Sequence, residues 1–168
     1  MTTHEELIRE WEIQKEKWSL PDWELRFSNQ KRHLGYCRPR KKLISISRAF
    51  METNPFPIIK DTLLHEIAHA LHFLETGKTN HSNGWKSFAL KVGCEPKRCA
   101  TGEGLNMPKS NYVGVCPVCR KKTHFYRRVK RSYSCSHCTN SYDSRYKLEI
   151  MTFAEYSTNH KVKFESQD

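Results

Sequence analysis

His65-Glu66-Ile67-Ala68-His69 sets two imidazoles four residues apart, a spacing that puts both on one face of a helix. Both rings can then reach one zinc ion, and Glu66 stands where it can take a proton from water that the ion activates. This is the donor pattern of a zinc hydrolase that cuts peptide bonds. A catalytic zinc needs a third protein ligand and one open position. His81 is the preferred third ligand, because it follows the Gly77–Asn80 turn and can fold back toward the first helix. His72 is the alternative, but ligands at i, i+4 and i+7 of one helix strain a tetrahedral site. Glu75 or Asp61 is a candidate to orient a ligand imidazole, although Asp61 also reads as an acid in the first turn of a helix.

A second cluster lies downstream. Cys116-Pro117-Val118-Cys119 and Cys135-Ser136-His137-Cys138 form C-x2-C-x15-C-x2-C, the spacing of a zinc ribbon. Four thiolates close a tetrahedron and leave no open position, so this zinc is expected to be structural. Cys37, Cys94 and Cys99 lack such spacing and read as core or surface thiols. The N-terminus is acidic and amphipathic rather than signal-like, which favours metal over disulfides for the seven cysteines.

Elements must position these groups. Thr2 or Thr3 with Glu5 or Glu6 reads as a capping box, opening a helix over residues 3–18 that carries Leu7, Trp11, Gln14 or Lys15, and Trp18. Trp23, Leu25 and Phe27 alternate as a half-buried strand, followed by strands at 34–37 and 43–47, the last with Ile44 and Ile46 on one face. The HExxH helix is expected over 58–76, closed by Gly77, and a second helix over 83–92. Residues 93–111 read as a linker or ordered loop, and short strands surround the cysteine pairs. The last dozen residues read as frayed.

The net charge of +11 is segregated. Between Glu24 and Glu52 there is no acid, but Arg38, Arg40, Lys41 and Lys42 cluster together. Between Glu103 and Glu149 the one acid is Asp143, against Lys121, Lys122, Arg127, Arg128, Lys130 and Arg131. Such segregation points to a polyanion, most often nucleic acid. Phe125, Tyr126 and Tyr133 interleave with the second run, the composition of a surface that stacks unpaired bases. The plainer role of these rings is to fill a small ribbon core. No stretch approaches the roughly 18 apolar residues of a membrane span.

His65-Glu66-Ile67-Ala68-His69-Ala70-Leu71, His81 with Trp85 four positions on, and the late four-cysteine ribbon together resemble the SprT-like family, which includes the Spartan-type proteases. Gly35-Tyr36-Cys37-Arg38, Ile44-Ser45-Ile46-Ser47 and Gly93-Cys94-Glu95-Pro96-Lys97-Arg98-Cys99-Ala100 are similar to that family's segments around the two helices. Ser82 departs from the pattern, since the family often has glycine directly after the third histidine. The resemblance implies zinc ligands His65, His69 and His81, a general base Glu66, and action on proteins crosslinked to DNA.

The expected architecture is α+β: a zincin-like metalloprotease domain over 1–105, a zinc ribbon over 106–150 and a tail over 151–168. The expected cofactors are one catalytic and one structural Zn2+. The expected partners are DNA, single-stranded or with unpaired regions, and proteins bound to it. The expected location is intracellular, in the cytoplasm of a bacterium or virus-infected host, or in a eukaryotic nucleus. Two other readings compete. One is a non-catalytic nucleic-acid-binding adaptor of repair or transcription, which would have no use for Glu66. The other is a peptidase for free peptides, with the ribbon as a staple.

Overall fold

A helix, three strands and three further helices follow one another through the first two-thirds of the chain, and short strands dominate the rest. The computed structural model describes residues 2–97 and 104–161. Cys99, the end of the 93–100 segment and residues 162–168 lie outside them. The chain divides into two compact units, residues 1–108 and 109–168.

In the first unit α1 spans His4–Lys17. Of the two possible capping boxes, Thr3 and Glu6 form it: Glu6 N–H donates to Thr3 Oγ1 at 3.1 Å and Thr3 N–H to Glu6 at 2.8 Å. Gln14 interrupts the apolar stripe yet is buried, because it donates to Glu10 and accepts from the Trp18 indole, both at 2.8 Å. Glu10 also pairs with Lys60 at 3.0 Å, tying this helix to the one that carries the HExxH residues.

Three strands follow: β1 (Glu24–Ser28), β2 (Gly35–Arg38) and β3 (Leu43–Ser47), in the order β1-β3-β2. β3 runs parallel to β1 and antiparallel to β2, so β2 is an edge strand. Ile44 and Ile46 are fully buried as alternation predicts, but Ser45 and Ser47 are buried too, because β3 is central and covered on both faces. A short helix α2 (Arg48–Met51), which the sequence reading passed over, buries Phe50 and Met51.

The helix α3 spans Phe56–Thr76, beginning two residues before the expected start. It ends at Gly77, which takes φ 69° and donates to the Phe73 carbonyl at 2.8 Å. The helix α4 spans Asn83–Val92, as read from the sequence, and closes at Gly93. Ile59, Leu63, Ile67 and Ala70 of α3 join Trp85 and Ala89 of α4, Leu7 and Trp11 of α1, and Ile44 and Ile46 of β3 in one core.

Beyond α4 the chain returns to this unit. Asn106 N–H donates to Asn54 Oδ1 at 2.7 Å, and Asn54 Nδ2 donates back to the Asn106 carbonyl at 2.9 Å. Residues 104–108 are thus an ordered strap on the first unit rather than a free linker.

In the second unit β4 (Tyr112–Val115), β5 (Lys122–Phe125) and β6 (Glu149–Thr152) form an antiparallel sheet ordered β5-β4-β6. A helix α5 (Phe153–Lys161) then packs Tyr156 against Val113 and Val115. Residues 157–161, the described part of the stretch read as frayed, lie within this helix. Thr152 and Glu155 cap this helix reciprocally, with Thr152 N–H to Glu155 at 2.7 Å and Glu155 N–H to Thr152 Oγ1 at 3.2 Å. Among the described residues, no helix is long and apolar enough to cross a membrane.

Candidate metal centres

The Gly77 turn returns the chain so that α4 lies along α3, and His81, just ahead of α4, meets the HExxH face. His81 Nε2 lies 3.2 Å from His65 Nε2 and 3.1 Å from His69 Nε2. Zn–N bonds of about 2.0–2.1 Å in tetrahedral geometry would set ligand nitrogens about 3.3 Å apart, so the three converge at zinc-binding separation. Trp85 forms the floor. Its buried indole sits 4.7, 5.1 and 4.5 Å from the His65, His69 and His81 rings, stacked on His69 and edge-on to His81.

Burial sets the charge state of these groups. It pushes His65 down to about 4 and His69 down to about 3, with the neighbouring imidazoles adding to the effect. Both rings are therefore neutral near pH 7, the form that binds metal. Glu66, between them in sequence, is almost wholly buried, and burial pushes its carboxyl up to about 8. The Cys37 backbone N–H, hydrogen-bonded to that carboxyl, offsets part of the rise. Burial and the Glu66 charge raise the Cys37 thiol well above its ordinary value, which keeps it protonated and inert.

The Cys37 amide reaches Glu66 because β2 runs close to α3, and Gly35 permits that approach. A Cβ at Gly35 would lie 3.0 Å from the Ser45 carbonyl, 3.0 Å from Ile46 Cδ1 and 3.1 Å from Thr62 Cγ2. A cavity of about 280 Å³ opens here, bounded by Tyr36, Cys37, His65, Glu66 and His81. A second cavity, also about 280 Å³, shares Gly35, His65 and Glu66 with the first and is lined further by Leu34, Phe50, Asp61, Leu105 and Met107.

Among the described residues, no hydrogen bond joins either proposed orienting acid to His65 or His69. Asp61 lies in the second turn of α3, not the first, and accepts the Glu95 N–H at 3.2 Å. Glu75 is exposed. His72 is buried but stands outside the convergent group.

The four cysteines converge in the second unit. Cys116 and Cys138 sulfurs lie 3.9 Å apart, and those of Cys119 and Cys135 3.5 Å apart. Zn–S bonds of about 2.3 Å would set tetrahedral sulfurs about 3.8 Å apart. Burial opposes ionisation of Cys116, but hydrogen bonds from the Cys119 and Val118 amides outweigh it and lower the thiol. Burial and the neighbouring sulfurs raise Cys138. The cluster fits a cation that displaces the protons the thiols would otherwise share.

The candidate nucleic-acid residues are distributed between the units. Arg38 is exposed and lies 4.8 Å over the Tyr36 ring, while Arg40 and Lys41 are exposed on the turn before β3. Lys42 pairs with Asp22 at 2.6 Å. In the second unit Arg127, Arg128 and Lys130 are exposed. Lys122 lies 4.8 Å over Tyr156, Lys121 contacts His137 at 3.2 Å, and Arg131 donates to Tyr133 Oη at 3.1 Å. Phe125 and Tyr133 pack on the cysteine core with ring centroids 5.5 Å apart, and Tyr126 is half-buried, so the first two have structural partners. A cavity of about 520 Å³ in this unit is lined by Arg128, Lys130, Arg131 and Lys147, with Tyr112 and Ile150. Its acid, Glu155, is engaged in capping α5.

Sequence reasoning missed two supports of the histidine site, the Cys37 amide and the close fit at Gly35. A glycine inside a strand pattern was the available signal for a close backbone approach.

No curated protein and no solved structure matches the chain. The SprT-like family model matches residues 4–104, a stretch that takes in α1, the β1–β3 sheet and both helices around the three histidines, and the chain belongs to the SprT-like family.

Proposed function

We propose that the protein is a zinc-dependent metalloprotease that hydrolyses peptide bonds of proteins bound or crosslinked to DNA. In this reading the first unit is zincin-like, His65, His69 and His81 hold a catalytic zinc, and the four cysteines hold a structural one. The carrying observation is Glu66, buried beside the three imidazoles and bonded to the Cys37 amide of an edge strand. A purely structural zinc site has no need of such a carboxyl.

A bound zinc would polarise the scissile carbonyl and acidify water. The chain supplies the rest. Burial raises the Glu66 carboxyl in the metal-free protein, and a bound divalent cation would favour its ionised form, which could take a proton from the attacking water and return it to the leaving amine. The Cys37 N–H fixes the carboxylate for that exchange. β2, at the sheet edge and on the cavity wall, suits an extended peptide pairing by backbone hydrogen bonds. The exposed cations of the second unit and its basic cavity support DNA as the element that localises substrate.

The test is cleavage of a protein covalently attached to DNA, by zinc-loaded wild type and Glu66→Gln, with and without added single-stranded DNA. Wild type should cleave, DNA should stimulate, and rising salt should abolish the stimulation. Glu66→Gln should lose cleavage while keeping its fold and both metals. No cleavage in any lane, with two zincs per chain measured, would move the reading to a non-catalytic nucleic-acid-binding adaptor. Cleavage indifferent to DNA and salt would leave a peptidase for free peptides.

A further inference from the structure

His72 is one of the most completely buried polar side chains of the first unit, yet it belongs to neither metal cluster. It lies on α3 three residues after His69, with its ring against the start of α4. His72 Nε2 is 3.4 Å from Ser82 Oγ, a long contact in which either partner can donate. A Cβ at Gly84 would lie 3.1 Å from the same nitrogen, so glycine there lets α4 sit directly on the ring. Phe88, one helical turn on, flanks it at 6.1 Å between centroids.

Ser82 occupies the N-cap position of α4, but its hydroxyl does not cap a backbone amide of its own helix. A serine at this position would ordinarily bond an amide of the first turn. Here its hydroxyl is turned toward His72, and its chain neighbour is His81. The ring of His72 therefore touches the N-cap, the second residue and the next turn of the element that delivers the third imidazole.

We propose that His72 is a positioning residue for His81, seating the N-terminus of α4 through Ser82 and Gly84. It thereby places the His81 nitrogen within 3.1–3.2 Å of the other two. The proposal rests on the reading that the three histidines hold a metal. Groups that orient ligands without touching the ion typically change metal affinity about 10- to 100-fold when removed.

The experiment uses the full chain with zinc retained at the cysteines and cobalt(II) loaded at the histidines. The visible d–d spectrum reports coordination geometry, and chelator competition reports affinity. His72→Ala should weaken cobalt binding at the histidines by about 10- to 100-fold and alter the d–d bands, with zinc at the cysteines unchanged. His72→Gln, whose amide nitrogen can reach Ser82, should recover part of the loss, and Ser82→Ala should fall between. Wild-type affinity and spectrum in both His72→Ala and Ser82→Ala would overturn the proposal. So would affinity losses that merely track thermal stability while the spectrum stays unchanged. Should His72→Ala not fold, His72→Gln and Ser82→Ala decide by the same criteria. Wild type that takes up no cobalt at the histidines would overturn both this proposal and the metal reading beneath it. Normal uptake with indifferent variants would overturn only the role of His72.

Discussion

Replacing Gly35 by alanine tests whether the approach of β2 to α3 controls Glu66. The added methyl would meet Ile46 Cδ1, Thr62 Cγ2 and the Ser45 carbonyl at 3.0–3.1 Å. The two side-chain ends can turn aside, but the carbonyl belongs to the central strand, paired to β2 at Tyr36↔Ser45. Restoring an ordinary contact of about 3.4 Å moves β2 outward by about 0.4 Å. Overpacking of this kind costs about 1–3 kcal/mol, or roughly 4–8 °C per kcal/mol in a domain of this size. The shift also displaces the Cys37 amide, two residues along, relative to the Glu66 carboxyl it is bonded to. Misplacement by 1 Å can cost about 100-fold in rate, so about 0.4 Å corresponds to a loss of several-fold to tenfold in kcat.

The assay pairs urea melts with kcat and KM on a DNA-attached substrate. Gly114→Ala in the second unit is the control, since its methyl would meet Phe125 and Leu148 at 2.9–3.3 Å and no part of the histidine site. It should lower the stability of its own unit and leave kcat unchanged. Wild-type stability in Gly35→Ala would refute the packing argument. Lowered stability with unchanged kcat would refute the link from β2 to Glu66.

The metal-free protein should have its greatest stability near pH 6.5. The Glu66 carboxyl is raised from 4.5 to about 8, so its contribution is full below about pH 4.5 and is lost as pH climbs toward 8. His65 and His69, lowered from 6.5 to about 4 and about 3, lose their contribution as pH falls below 6.5. Urea midpoints from pH 4 to 8, below the range in which the raised Cys37 and Cys94 thiols titrate, should show both limbs, and a fall between pH 6.5 and 8 that persists in Glu66→Gln would refute the assignment. Cys135→Ser should remove one zinc per chain and unfold the second unit, because a structural zinc contributes about 10–16 kcal/mol of apparent binding energy to such a fold. Metal analysis and amide exchange over 109–161 would check this, and full protection with two zincs bound would refute it.

The helices that carry the chemistry were legible because their signals are local. Apolar spacing, Gly77 and Gly93 at the C-termini, and the Thr3–Glu6 box each act within a few residues. The candidate metal donors were legible for the same reason, through HExxH and the paired CxxC spacings. The pairing of β1 with β3 across the intervening β2 joins residues about 19 apart and has no local mark. It makes β2 an edge strand and brings the Cys37 amide to Glu66, so the environment of Glu66 was illegible although its identity was not. Ser45 and Ser47 misled for a related reason, since a central strand buries both faces whatever its alternation. The helix α5 was different again: Thr152 and Glu155 carry the box pattern in plain sight, a local signal that the reading of 151–168 as a tail passed over.

Both candidate metal sites carry a cost that a cation would relieve, but they carry it differently. At the cysteines the cost lies in the ligands, since four sulfurs within reach of one another cannot all ionise without a cation between them. At the histidines the ligands are already neutral and held against Trp85, and the cost lies beside them, in a buried carboxyl raised to about 8. A divalent charge next to Glu66 favours its ionised form and so reverses part of that rise. Metal binding would therefore shift the proton affinity of Glu66, the proposed general base, while among the described residues no carboxyl is grouped with the four cysteines. Under the proposed function, the asymmetry would separate a site built to react from one built to hold a fold. It also explains why Glu66→Gln is expected to leave metal binding intact: the substitution removes a neighbour of the metal, not a ligand.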